Sequence, residues 1–137
     1  MRAFPDTNVI VSAFISRGLC ADVVLLILDE HDLISAEVVI EETRRVLSTR
    51  FKIPAEIVHR IELVLREGYV EPRPRDLPDL KLKGHADLLV VASALNAEAD
   101  VLITGDKDIL TAARTLKGLK VMTPREFWEM QWGPKRK

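Results

Sequence analysis

Apolar and polar positions along the chain alternate between short strand-like runs and helical periods. Arg2 to Phe4 reads as a short strand, and Pro5, which lacks a backbone donor, is expected to stop its ladder. Val9 to Ile15 reads as a short helix broken by Arg17-Gly18. Leu19 to Leu28 is apolar nearly all round, the pattern of a helix that is buried or packs on a partner. Asp32 to Ser35 reads as a strand, with Ser35 placed to cap a helix running to about Leu47. Pro54 opens the next helix and Gly68 closes it. This segment has the cleanest period. Ile57, Val58, Ile61, Val64 and Leu65 share one face, while Glu56, His59, Arg60, Glu62, Arg66 and Glu67 share the other.

Tyr69 to Glu71 reads as a strand, and Pro72 to Gly84 as a loop with three prolines. A helix from about Ala86 to Ala97, a strand Val101–Thr104, a helix opened by Gly105-Asp106 and a strand Lys120–Met122 follow. Thr123-Pro124-Arg125-Glu126 is a capping box with proline at the first helical position. The alternation predicts a three-layer α/β/α fold around a mostly parallel sheet of four or five short strands. One domain is expected over residues 1–132, with a basic tail at 133–137.

Composition narrows the function classes. The 137 residues carry 20 Lys+Arg and 21 Asp+Glu, a net charge of -1, which excludes a polycation and an acidic tail protein. A local basic patch for nucleic acid stays compatible with that balance. The longest apolar run, Val23 to Leu28, is far short of the roughly 20 residues that a membrane span needs. No secretory leader pattern opens the sequence. Cys20 is the only cysteine, so a disulfide framework and a cysteine zinc site are excluded and a reduced, cytoplasmic setting is expected.

Four acids stand out. Asp6 ends the first strand and Asp106 follows the strand Val101–Thr104, where ligands of open α/β sheets bind. Glu42 shares the side of Val39 and Val46 on its helix, and Asp87 leans toward the stripe of Leu88, Val91 and Leu95. Each has an ordinary reading too: Asp6 and Asp106 can cap helices, and Asp87 can complement a helix dipole. If the four converge, they repel one another and raise each other's pKa, and a divalent cation relieves the repulsion. All-oxygen donors select Mg²⁺ or Mn²⁺.

The motifs resemble those of the PIN domain family, which includes VapC-like toxins. Asp6-Thr7-Asn8-Val9 is similar to the opening D-T-N-V, and Glu42 with Val46-Leu47 to the second acid and its setting. Asp87 in Asp87-Leu88-Leu89-Val90-Val91 matches the third acid. Ala99-Asp100-Val101-Leu102-Ile103-Thr104-Gly105-Asp106-Lys107-Asp108 resembles the most specific stretch, A-D-x-L-x-T-x-D-x-D. The resemblance implies a PIN-like α/β/α ribonuclease, a single-strand-directed endonuclease using Mg²⁺ or Mn²⁺. Asp6, Glu42, Asp87 and Asp106 would hold the metal, and Asn8, Thr104 and Asp108 would orient ligands or water. It also implies a toxin paired with a small antitoxin. Pro5 departs from the family's usual aliphatic residue, and Lys83-Gly84-His85-Ala86 replaces an acidic cluster.

Other residues are weighed against ordinary roles. Arg44, Arg45, Lys83 and Lys107 are candidates for RNA contact. Phe14, Phe51 and Trp128 are expected in the core, since aromatics total 5%. His31, His59 and His85 are expected to be solvated or locally bonded. Leu63, off the stripe of its helix, and the Leu19–Leu28 segment suggest a homodimer surface. Two alternatives are a PIN-like RNA- or protein-binding module without catalysis and a receiver-like Mg²⁺-binding signalling domain. A D-x-D phosphatase is disfavoured because Asn8 replaces the second Asp.

Overall fold

The computed structural model describes residues 1–132, so the predicted tail at 133–137 lies outside the described residues. In chain order the elements are β1 (Arg2–Pro5), α1 (Thr7–Ile15), α2 (Leu19–Glu30), β2 (Asp32–Ala36), α3 (Glu37–Thr49) and α4 (Ala55–Leu65). They continue with β3 (Tyr69–Glu71), α5 (His85–Asn96), β4 (Val101–Ile103), α6 (Lys107–Ala113), β5 (Lys120–Met122) and α7 (Pro124–Trp132).

The strands form one five-stranded sheet in the order β3-β2-β1-β4-β5. Every pairing is parallel. Consecutive residues of a strand point to opposite faces. Ala3, Phe4 and Pro5 of β1 and all of β4 are nevertheless buried, so helices cover both faces. This is the predicted α/β/α class. The chain winds one way from β1 to β3 and then returns to place β4 against the other side of β1. The receiver-like alternative fails here: that order puts the second strand at an edge, whereas β3 holds the edge and β2 lies inside.

Three local expectations are corrected. Pro5 does not stop the ladder but pairs with Ile103 as the last residue of β1. The proline sits where no donor is needed, and the next amide, Asp6 N–H, bonds the Ile103 carbonyl at 2.8 Å. Ser35 does not cap α3; it is buried inside β2, and Ala36 takes the cap position. Ile57 is exposed although the helical period put it on the apolar face, because α4 buries only Val58, Ile61 and Leu65.

The capping box before α7 forms as read. Thr123 N–H donates to Glu126 Oε1 at 2.9 Å, and Glu126 N–H donates to Thr123 Oγ1 at 3.0 Å. Helix α2 buries Val23, Val24 and Ile27 but leaves Leu25 and Leu28 exposed. Leu63 is exposed on α4. No single helix among the described residues is long and apolar enough to cross a membrane.

Candidate functional site

The point where the winding reverses lies between β1 and β4, and ligands of such sheets bind beyond the carboxyl ends of strands at that point. Asp6 directly follows β1, and Thr104-Gly105-Asp106 directly follows β4. A cavity of about 360 Å³ opens there. Asp6, Asn8, Glu42, Asp87 and Asp106 all line it. Four of the predicted acids therefore reach one space from four separate segments.

Asp6 is almost wholly buried. Its Oδ1 accepts from Thr7 N–H at 2.7 Å, the helix-capping bond expected of it. Its Oδ2 accepts from Thr104 Oγ1 at 2.8 Å. The Thr104 hydroxyl in turn accepts from Asp106 N–H at 3.0 Å. Asp106 Oδ1 caps α6 by accepting from the amides of Asp108 and Ile109 at 2.8 and 3.1 Å. Capping thus leaves Asp106 Oδ2 without a hydrogen bond among the described residues, whereas both oxygens of Asp6 accept one.

Burial pushes the Asp6 carboxyl up to about 6 from 3.8, against the opposing pull of its bonds to Thr104 and Thr7. The charges of Glu42 and Asp87 raise it further. Asp87 is also raised, first by burial, then by the charges of Asp106, Glu42 and Asp108. Mutual repulsion, expected from four converging acids, is not the main cause. In both residues desolvation comes first and repulsion adds to it.

The donors suit a hard cation: all are oxygens, and the charge on the cavity wall is mostly negative. Thr7 supplies a further sign, since its buried Oγ1 has no hydrogen-bond partner and the residue lines the same cavity. Among the described residues no three His, Cys, Asp or Glu side chains stand close enough to clasp an ion by themselves.

The remaining candidates divide. Asn8 is exposed at the cavity, and Thr104 is buried beneath it. Asp108 does not line this cavity; with Lys83 it lines a neighbouring cleft along α6. Arg44 and Arg45 line a third cleft, between α3 and α5, together with Glu42 and Arg73. Arg45 leans on Glu42 at 3.8 Å, and Arg44 on Glu62 at 3.2 Å. Lys107 is exposed and makes no ion pair with Asp106 or Asp108 among the described residues. The four basic candidates therefore do not form one patch.

Sequence reading missed part of the cavity wall. Val11, Ile15, Val46, Arg50 and Phe51 line it beside the acids. Phe14 and Phe51, expected in the core, are 38% and 41% exposed. The clue for Phe51 was its place just past a helix end, between Arg50 and Lys52. His31 is not merely solvated: Nε2 meets Gln131 Oε1 at 3.0 Å and the ring packs edge-on to Phe127.

A family model described as PIN domain matches residues 2–108. No curated protein matches the chain. Among solved structures, VapBC2 from Rickettsia felis bound to a DNA fragment from their promoter is similar at a TM-score of 0.64 and 16% identity. The match covers 90% of this chain and 98% of that chain.

Proposed function

The chain belongs to the PIN domain family, and from that premise we propose that it is a metal-dependent ribonuclease, a single-strand-directed endonuclease of the VapC type. The observation that carries the reading is the convergence of Asp6, Glu42, Asp87 and Asp106 on one cavity at the sheet's reversal point. Asp6, Glu42, Asp87 and Asp106 would hold Mg²⁺ or Mn²⁺, and Asn8 and Thr104 would keep the donors in place. A bound divalent ion supplies a lower pKa for water and countercharge for a phosphodiester under attack.

The chain's own residues do the rest. Thr104 orients Asp6 Oδ2, and the backbone amides of α6 orient Asp106 Oδ1. Asp106 keeps Oδ2 for the cavity, and Asp6 turns the remaining lone pairs of two already bonded oxygens to it. The raised Asp6 pKa favours holding a proton below about pH 6 when the cavity lacks countercharge. Asn8 offers an amide at the cavity mouth to a ligand or water. Asp108 belongs to the supporting set through its backbone bond to Asp106, with its side chain toward the neighbouring cleft. Arg44 and Arg45 on one side, and Lys83 and Lys107 on the other, contact RNA phosphates in this reading.

The resemblance to VapC-like toxins, together with a fold shared with VapBC2, supports a small antitoxin as partner. Exposed Leu25, Leu28 and Leu63 support a homodimer. A reduced cytoplasmic setting and one PIN domain over residues 1–132 complete the proposal.

The test is cleavage of end-labelled single-stranded RNA with Mn²⁺ or Mg²⁺. EDTA abolishes cleavage reversibly, and Asp6→Asn abolishes it while the fold survives. Cleavage by Asp6→Asn at the wild-type rate sinks the mechanism.

A further inference from the structure

The cavity that holds the carboxylates has a second set of lining residues: Val11, Ile15, Val46, Arg50 and Phe51. Val11 and Ile15 lie one and two turns beyond Asn8 on α1, and Val46 and Arg50 one and two turns beyond Glu42 along α3 to its cap, so the lining turns apolar away from the acids and ends at Arg50 and Phe51. Phe51 is 41% exposed and, unlike the exposed Phe14, lines the cavity. Its position is built rather than frayed. Lys52 adopts a left-handed φ of 51°, a conformation that costs a lysine free energy. Ile53 N–H then bonds back to the Leu47 carbonyl at 3.0 Å, locking the turn. The Arg50 guanidinium carbon lies 5.9 Å from the Phe51 ring centroid, a cation–π contact.

From this geometry we propose that Phe51, flanked by Arg50, is the stacking platform for the nucleobase next to the cleaved phosphate. The inference rests on the ribonuclease reading and deepens it. A phosphodiester strand alternates charged phosphate with flat base. With a phosphate at the carboxylates, the adjoining base reaches the apolar rim of the same cavity. Every base has a π-face, and stacking on an exposed aromatic beside arginine is how sequence-tolerant single-strand binding is achieved. Arg50 is the basic residue on this wall, so it also meets the next phosphate as a point of positive charge. A base can reach Phe51 only when unstacked from its neighbours, which makes the substrate single-stranded there. Stacking strength sets the preference, so a purine at that position is cut faster than a pyrimidine.

Two readouts on the full chain test this. The first is kcat/KM for single-stranded RNA carrying either a purine or an abasic residue beside the cut. Wild type prefers the base-bearing substrate by about 5- to 150-fold; Phe51→Ala collapses that ratio toward one, and Phe51→Trp restores it. Phe14→Ala, an exposed aromatic outside the cavity wall, leaves the ratio alone. The second is quenching of 2-aminopurine in a bound RNA, read by stopped flow with Mg²⁺ present and before any cleavage, so that no turnover is needed. Quenching by wild type that is lost in Phe51→Ala supports the platform even if cleavage is absent, in which case only the nuclease reading falls. Cleavage by wild type with a ratio that survives Phe51→Ala overturns the platform and leaves the nuclease. Absence of both signals, or a Phe51→Ala defect confined to binding of a protein partner, overturns the platform too.

Discussion

Thr104 Oγ1 donates to Asp6 Oδ2 at 2.8 Å across a separation of 98 residues, and the same hydroxyl accepts from Asp106 N–H. One hydroxyl thus ties the carboxyl ends of β1 and β4 together and orients the acids that follow both. Thr104→Val leaves a buried carboxylate oxygen and a backbone amide without their partner. The expected cost is about 1–3 kcal/mol of stability and on the order of 10- to 100-fold in RNA cleavage. Loss of the bond that lowers the Asp6 pKa moves the acidic limb of the cleavage pH profile upward. Thr104→Ser restores rate and profile. A Thr104→Val enzyme with an unchanged profile would show that the hydroxyl is only structural.

Asp106 serves as helix cap and proposed ligand, and two substitutions separate those roles. Asparagine caps about as well as aspartate, so Asp106→Asn should unfold within a few tenths of a kcal/mol of wild type. Asp106→Ala also loses the bonds to the amides of Asp108 and Ile109, at a cost of about 1 kcal/mol. Cleavage should fall on the order of a hundredfold or more in both. Full activity in Asp106→Asn would assign the residue to capping alone.

The raised Asp6 pKa makes stability depend on pH in a defined sense. The folded chain holds this proton up to about 6, the unfolded chain to 3.8. Protonated Asp6 is tolerated in the fold, so its favourable contribution is complete below the unfolded value and is lost as pH rises through the folded one. Without divalent ions, this contribution should be lost between about pH 3.5 and about pH 7, lowering Tm by the equivalent of roughly 3 kcal/mol across that window. Asp6→Asn should flatten that slope and raise Tm at neutral pH. Mn²⁺ at about 100 times its Kd should add about 2.7 kcal/mol to wild type at neutral pH and far less to the variant. An identical slope in both proteins contradicts this account.

Gly68 sits before β3, close to β2. A Cβ there would overlap the Leu33 carbonyl oxygen, which is backbone and cannot swing aside. Gly68→Ala should lower the urea midpoint by the equivalent of about 1–3 kcal/mol. Gly105→Ala, where a Cβ meets nothing within 4 Å, should shift it little. Equal midpoints for Gly68→Ala and wild type would mean that the β2–β3 contact is looser than described.

Much of the architecture was legible in the sequence because strand and helix signals were local. The Thr123–Glu126 box, the amphipathic period of α4 and the acids at two strand ends needed no tertiary information. What stayed hidden depends on neighbours. Ile57 has the right spacing for the core, but α4 meets the rest of the chain along a narrower stripe. Ser35 has the right chemistry for a cap, but β2 runs one residue further. Phe51 looked like core by composition; a left-handed turn at Lys52 puts it at the cavity rim instead. The four acids were each ambiguous singly, and only the strand order brings them to one space.

The long connection between β3 and α5 divides the chain in a way that matters beyond geometry. Asp6 and Glu42 precede it, and Asp87 and Asp106 follow it; likewise β1 to β3 precede it, and β4 and β5 follow. Each portion carries only two of the four acids and an open edge where its counterpart belongs. If the four act together as proposed, the molecule is inert by construction until the part that follows the connection has docked. On the proposed function, a chain still leaving the ribosome has nothing with which to cut RNA, and a nick in that connection would make a two-piece enzyme whose activity counts reunions.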